Sequence, residues 1–250
     1  SGTWVLTGTN TYSGLTTIAN GVLQVGAGGA SGTIGTGSIV NNARLVFNRT
    51  GTVTVGSAIS GSGAVTNAGP GTLVLTGNNT YSGGTTISAG TVQVGDGGAT
   101  GSLHDNSGIV NNGLLVFNST SPITLNQFFS VVSGTGNIWV RSTGLVKVSA
   151  ANTYTGWVLI DPGATFQPFE GNQGQFVGSV ITNNGTLFLT GQEAPATRGF
   201  TNNIVGTGRV LKENNNQNEG WIIFAGNNTY SGGTFLAGGG ISLGDGVTPG

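Results

Sequence analysis

The chain carries eight carboxylates and one histidine, and any hydrolytic chemistry would have to come from these. The carboxylates are Asp96, Asp105, Asp161, Glu170, Glu193, Glu213, Glu219 and Asp245. Cleavage of a glycosidic bond needs two of them facing a common cleft several ångströms apart. Asp96 and Asp245 open Asp-Gly turns, which is turn chemistry. Glu213 and Glu219 fall in a polar insert, Lys212 to Gly220, that should protrude from the fold. The rest are scattered, so no catalytic pair is expected. Gly240-Ile241-Ser242-Leu243-Gly244 has the spacing of a serine-hydrolase elbow, but Ser242 reads as a strand residue and not as the tip of a strand-to-helix turn. His104, far upstream beside Asp105, reads as an exposed loop residue and not as a triad base. One histidine and no cysteine leave no zinc set. No enzyme activity, cofactor or metal is expected.

Composition narrows the partners. Charged residues make up 6% of the chain and the net charge is −1, so there is no electrostatic footprint for nucleic acid. No apolar run is long enough to span a bilayer as a helix, and no membrane insertion by this segment is expected. Glycine supplies 49 of 250 residues without a three-residue period, which excludes collagen. Short apolar alternations separate the glycines, and a disordered chain lacks those. Absence of cysteine rules out disulfides.

The elements that would position any site come from a repeat. Asn79-Thr80-Tyr81-Ser82-Gly83 recurs as Asn10-Thr11-Tyr12-Ser13-Gly14, Asn152-Thr153-Tyr154-Thr155-Gly156 and Asn228-Thr229-Tyr230-Ser231-Gly232, and these copies hold all four tyrosines. A period of about 70 residues divides the chain into copies at approximately 1–70, 71–143, 144–219 and 220–250, within one solenoid spanning 1–250. Each copy repeats the same units in the same order. Thr85-Thr86-Ile87, Gly90-Thr91-Val92-Gln93-Val94, Ile109-Val110-Asn111-Asn112 and Leu115-Val116-Phe117 echo Thr16-Thr17-Ile18, Gly21-Val22-Leu23-Gln24-Val25, Ile39-Val40-Asn41-Asn42 and Leu45-Val46-Phe47. Four to six residues, alternation and β-branching, bounded by Gly and Asn, make these short strands. Helix is expected to be essentially absent.

Stacking equivalent positions shows which face is inside. The strand before the tyrosine motif reads Trp4-Val5-Leu6, Leu73-Val74-Leu75, Val146-Lys147-Val148 and Ile222-Ile223-Phe224. Lys147 falls in the middle column, and a lone buried lysine costs several kcal/mol, so that column should face water and the flanking ones the core. The same parity puts Leu45, Phe47, Leu115, Phe117, Leu187 and Leu189 inside. One series recurring four times selects a parallel β-helix over a sandwich. With roughly 20–25 residues per coil, each copy takes about three coils, so equivalent positions lie roughly 14 Å apart and Asn79 cannot stack on Asn10 or Asn152. An Asn ladder would have to use neighbouring coils, for example at Asn41-Asn42 and Asn111-Asn112. The third copy is irregular. It carries one extra residue before Gln167, and Pro168 should end or bulge that strand.

The series L-x-L-T-G-x-N-T-Y-S-G-G-T-T-I-x-x-G-x-[LV]-Q-V-G resembles the passenger-associated repeat of Gram-negative autotransporters, the type V secretion proteins. The resemblance implies a right-handed parallel β-helix stalk, exported through the outer membrane to the cell surface or beyond by a C-terminal barrel outside this segment. It implies a structural and adhesive role, with self-association or a host or matrix ligand as partner. Both ends of the chain fall inside the repeat, so the chain reads as a fragment. Three alternatives stand beside this reading: the β-helical part of a secreted toxin of the vacuolating-cytotoxin type, a carbohydrate-active β-helix, and a spacer for an N-terminal effector. The departures that could mark a binding surface are tryptophans. Trp139 stands in the column of Thr66, Trp157 in that of Gly84 and Trp221 in that of Thr72, with Trp139 and Trp221 pointing outward. The competing expectation is that neighbouring loops cover them.

Overall fold

The computed structural model describes residues 2–104, 108–125, 131–148, 152–168, 178–190, 197–213 and 221–244. These residues form short strands and no helix, and every strand pairing among them is parallel. The alternation read from the sequence therefore builds a β-solenoid. Successive coils along a face are 19 to 24 residues apart, as in Thr3↔Val22 and Thr85↔Ile109.

The chain visits three faces in turn. Ala64–Asn67 lies on the first, Thr72–Leu75 on the second, a pass through 79–82 on the third, and Thr85–Ile87 on the first again. The repeat does not return to its own face. The strand before the tyrosine motif is Thr3–Leu6 on the first face, Thr72–Leu75 on the second and Leu145–Val148 on the third. From Thr72 to Leu145 the chain makes eight strands and two further hydrogen-bonded passes, ten in all. Ten passes over three faces are three and one third coils. The expected three coils are present, and the extra third turns each copy one face onward.

This rotation removes the expected Asn ladder. Asn41 lies on the third face, above Ile18, and Asn111 on the first, above Ile87. Apolar residues interrupt the first-face column, which runs Phe47, Asn67, Ile87, Asn111. Each Asn-Asn pair instead ties its own coil to the next. Asn111 Nδ2 donates to the Asn137 carbonyl at 2.9 Å, and Asn112 Oδ1 accepts from the Thr135 N–H at 3.2 Å. Asn183 and Asn184 do the same to Arg209 and Thr207. Buried polar groups are thereby paired across coils, as a dry interior requires.

The core is the stack of inward columns. Leu73, Leu75, Val146, Val148, Ile222 and Phe224 are buried, as are Leu45, Phe47, Leu115, Phe117, Leu187 and Leu189. Trp4, expected inside, is 73% exposed, because Thr3–Leu6 pairs on one side only. The middle column points outward but is not uniformly wet. Val46, Val74 and Val116 stand outside the core cluster, yet each is buried by its outward neighbours. Gln93 pairs with both Val74 and Val116. Lys147 is half-buried in the same kind of column.

The tyrosine motif is a corner fastening. Asn79 Oδ1 accepts from the Ile59 N–H of the coil below at 3.0 Å, and its Nδ2 donates to the Gly77 and Ser102 carbonyls. Asn152 and Asn228 take the equivalent N–H groups of Val132 and Ile204. Tyr81 is fully buried, its hydroxyl 2.6 Å from Thr85 Oγ1. Gly83, Gly156 and Gly232 follow because the coil below passes so close that a Cβ would overlap its backbone.

One expectation changes in the third copy. Lys212 and Glu213 do not protrude; they complete the strand Arg209–Glu213, and Lys212 is buried. Residues 214–220 of the polar insert lie outside the described residues, as does the loop at Gln175. The extra residue before Gln167 closes a turn, in which the Ala164 N–H donates to the Asp161 carbonyl. The strand Thr165–Gln167 stops before Pro168, as expected, and Gln167 is buried with its Nε2 3.1 Å from Thr190 Oγ1.

Candidate interaction surface

The three outward tryptophans have different surroundings. Trp139, in Asn137–Val140 on the second face, lies between Val116 below and Leu159 above. Its Nε1 donates to Asp161 Oδ1 at 2.8 Å, and the Arg141 guanidinium sits 4.8 Å from its ring centroid. Arg141 Nε is 3.6 Å from Asp161 Oδ2, which closes a triangle of indole, cation and carboxylate. Trp157 precedes Val158–Ile160 on the next coil, and its N–H donates to Asn137 Oδ1 at 3.0 Å. It is 36% exposed.

Strand parity arranges these residues as two short rows. Asn137, Trp139 and Arg141 point outward on one coil, and Trp157, Leu159 and Asp161 on the coil above. The equivalent rows one copy earlier, on the first face, are Ala64, Thr66 and Ala68 below Gly84, Thr86 and Ser88. A shallow groove of about 350 Å³ starts at the upper of these rows and runs over the coils above it, lined by Gly83, Gly84, Thr86, Gly108, Val110 and Ser133.

Trp221 has a packing partner. It is 50% exposed and pairs with Gly240, and a Cβ added to Gly240 would lie 2.6 Å from the indole. The ring therefore rests on a residue with no side chain. In the second copy the same pair is Thr72 and Thr91, so Trp221 and Gly240 fill as one large side chain what two medium ones fill there. The sequence signal for this was available in Gly240, which replaces Thr91.

Among the described residues the carboxylates do not gather. Asp96 Oδ1 accepts from the Gly98 N–H at 3.2 Å in its turn, Asp161 is held by Trp139, and Glu213 ends a third-face strand. Asp105, Glu170, Glu193, Glu219 and Asp245 lie outside the described residues. Among the described residues no three His, Cys, Asp or Glu side chains are placed to hold a metal ion. Ser242 lies within the strand Gly240–Leu243, paired with Ile223. His104 is half-buried, not exposed, and has an interaction partner. The sequence missed the Asp161 contact to Trp139, since Asp161 carries no motif of its own.

Comparison with known proteins agrees with this architecture. The family model described as the passenger-associated-transport-repeat matches residues 1–25, 65–94 and 221–243. Those are the strand and tyrosine-motif segments of the first, second and fourth copies; the altered third copy is not matched. The adhesin BmaC autotransporter of Brucella suis biovar 1 (strain 1330) is 47% identical over 62 residues, which is 25% of this chain and 2% of that protein. The chain thus corresponds to a small fraction of that relative's length. No solved structure matches. The chain is thus a parallel β-solenoid that carries the passenger-associated-transport repeat in three of its segments and is similar, over a quarter of its length, to part of an autotransporter.

Proposed function

We propose that the segment is a stalk at the bacterial surface, reached through the outer membrane, and that its role is adhesive and not enzymatic. The observation that carries this reading is the outer surface itself. Its columns are largely Thr, Asn, Ser and Val, with few charges to repel a like surface, and the outward aromatic groups lie on open faces. The similarity to a protein named as an adhesin supports it. The spacer reading predicts the same rigid solenoid without any partner, so the test must separate the two. Whole passenger displayed on non-adherent cells is compared with passenger lacking residues 1–250, scoring clumping and attachment to matrix-coated surfaces. Loss of both on deletion is the expected result. Unchanged attachment would leave the spacer reading in its place. A companion measurement places charged capping coils on the isolated segment and follows its sedimentation against concentration. Lateral association then shows without end-to-end stacking of open coils.

A further inference from the structure

The chain holds three Asn-Gly bonds, at Asn20-Gly21, Asn112-Gly113 and Asn184-Gly185. Two of them are locked. The residue ahead of each is a buried asparagine whose Oδ1 accepts the glycine N–H, Gly113 to Asn111 and Gly185 to Asn183, at 3.2 Å in both cases. The middle asparagine is held as well. Asn112 Oδ1 accepts from the Thr135 N–H and Asn184 Oδ1 from the Thr207 N–H, each one coil further on. The same fastening recurs at Asn41-Asn42-Ala43, where the Ala43 N–H donates to Asn41 Oδ1 and the Ser62 N–H to Asn42 Oδ1. It belongs to the corner and not to one copy.

Asn20-Gly21 has neither lock. The preceding residue is Ala19, Asn20 is exposed, and among the described residues neither the Asn20 carboxamide nor the Gly21 N–H has a hydrogen-bond partner. The Asn42 N–H donates to the Ile18 carbonyl and the Val22 N–H to that of Gly2, which fastens the chain on either side of this corner. The turn does not need the asparagine. Its position holds Ala89 in the second copy, Pro162 in the third and Gly238 in the fourth, and the glycine that follows has a positive φ in all four.

We propose that Asn20 is a site of spontaneous deamidation, with water as co-reactant and ammonia as product, and that the Asn-Asn pairs protect Asn112 and Asn184 from the same reaction. The Gly21 amide nitrogen gives its proton to hydroxide and attacks Asn20 Cγ. The N–Cγ bond forms, the Cγ–Nδ2 bond breaks, and Nδ2 leaves as ammonia after taking a proton from water. A cyclic succinimide remains, and water opens it at either carbonyl to give aspartate or isoaspartate. No electrons are transferred. The reaction needs a carboxamide free to turn and a neighbouring nitrogen free to lose its proton. Gly21 has no side chain to shield that nitrogen. At Asn112 and Asn184 both groups would first have to give up hydrogen bonds, leaving the Oδ1 of Asn111 or Asn183 buried without its donor. The product at Asn20 adds a carboxylate to a chain of net charge −1, and isoaspartate also adds a carbon to the main chain at the corner. The reaction does not depend on any adhesive role of the segment.

The test ages the whole segment in mildly alkaline buffer, folded and in concentrated guanidinium. The three Asn-Gly peptides are then followed by mass spectrometry, with isoaspartate read by enzymatic methylation. In the folded protein Asn20 should convert at least about tenfold faster than Asn112 or Asn184. In guanidinium all three should convert within about threefold of one another, since the locks are gone. Asn20→Ala, which takes the residue found at Ala89, should abolish the folded-state signal with unchanged circular dichroism. Asn111→Val cannot accept the Gly113 N–H and should speed Asn112 conversion at least about tenfold. If that variant proves misfolded, the folded and unfolded rates of the unaltered chain carry the test. Equal rates at the three sites in the folded protein, the same tenfold order persisting in guanidinium, or no change at Asn112 in a folded Asn111→Val would overturn the proposal.

Discussion

Lys212 does in the third copy what Asn67 does in the first. Asn67 Nδ2 donates to the Ala89 carbonyl of the next coil at 3.0 Å, and Lys212 Nζ donates to the equivalent carbonyl of Gly238 at 3.2 Å. Asn67 also reaches the Gly71 and Thr91 carbonyls, and Lys212 reaches that of Glu213. Each is the last buried residue of its strand, at a corner where the chain turns away and leaves carbonyls facing the interior. A buried carbonyl without a donor is costly, and at these two corners Asn67 and Lys212 supply the donor, whereas the second copy has the apolar Val140 at the same position. Asn67→Leu should therefore lower stability by about 1–3 kcal/mol in urea denaturation, with little change in the slope.

The same relationship gives a pH signature. Burial pushes the Lys212 ammonium below its usual value of 10.5. Between its folded and unfolded values the unfolded chain binds more protons, so stability rises with pH through that window and levels off near 10.5. In Lys212→Asn the rise should be missing. A rise of equal size in the variant would place its origin elsewhere.

Tyr81 and Tyr154 act in the opposite direction. Burial raises both hydroxyls far above the ordinary 10.0, offset in part for Tyr81 by its bond to Thr85. Their contribution is fully present below pH 10 and is lost as pH climbs above it, when the unfolded tyrosines ionise and the buried ones do not. Denaturation midpoints should fall steeply above pH 10, and less steeply in Tyr81→Phe. At neutral pH that variant should cost about 1 kcal/mol for the lost hydroxyl bond.

Parity sets the tolerance of neighbouring positions. Leu75→Asp places an unpaired carboxylate in the core and should cost about 3–5 kcal/mol or prevent folding. Val74→Lys points outward from under Gln93, so its stem can lie over the face while the ammonium reaches water; about 1 kcal/mol is expected. Thermal denaturation of the two variants separates them, and equal damage would show that Val74 faces the core.

Rotation by one face per copy makes a prediction about excision. Removing residues 72–144 joins equivalent points of two copies and gives Leu145–Val148 the neighbours that Thr72–Leu75 had, so the β-type circular dichroism and cooperative melting should persist. Removing 72–136 deletes three whole second-face coils but brings Asn137–Val140 above Thr52–Val55 out of repeat order. That protein should melt at lower temperature and less cooperatively.

The sequence by itself determined the strands, their parity and the parallel solenoid. A two-residue alternation is a local property of extended backbone, and Lys147 in one column was enough to orient Leu73, Leu75, Val146 and Val148. The recurrence of Asn-Thr-Tyr-Ser-Gly carried the architecture in the same way. The tertiary structure alone decided where each copy sits around the axis. Coils vary from 19 to 24 residues because corners absorb different loop lengths, so a period of about 70 residues does not reveal the extra third of a turn. It also decided that Lys212 turns inward, that Asp161 reaches the Trp139 indole and that Trp221 rests on Gly240. Each of these depends on what the next coil places opposite, some twenty residues away in the chain, and a local pattern carries no record of it.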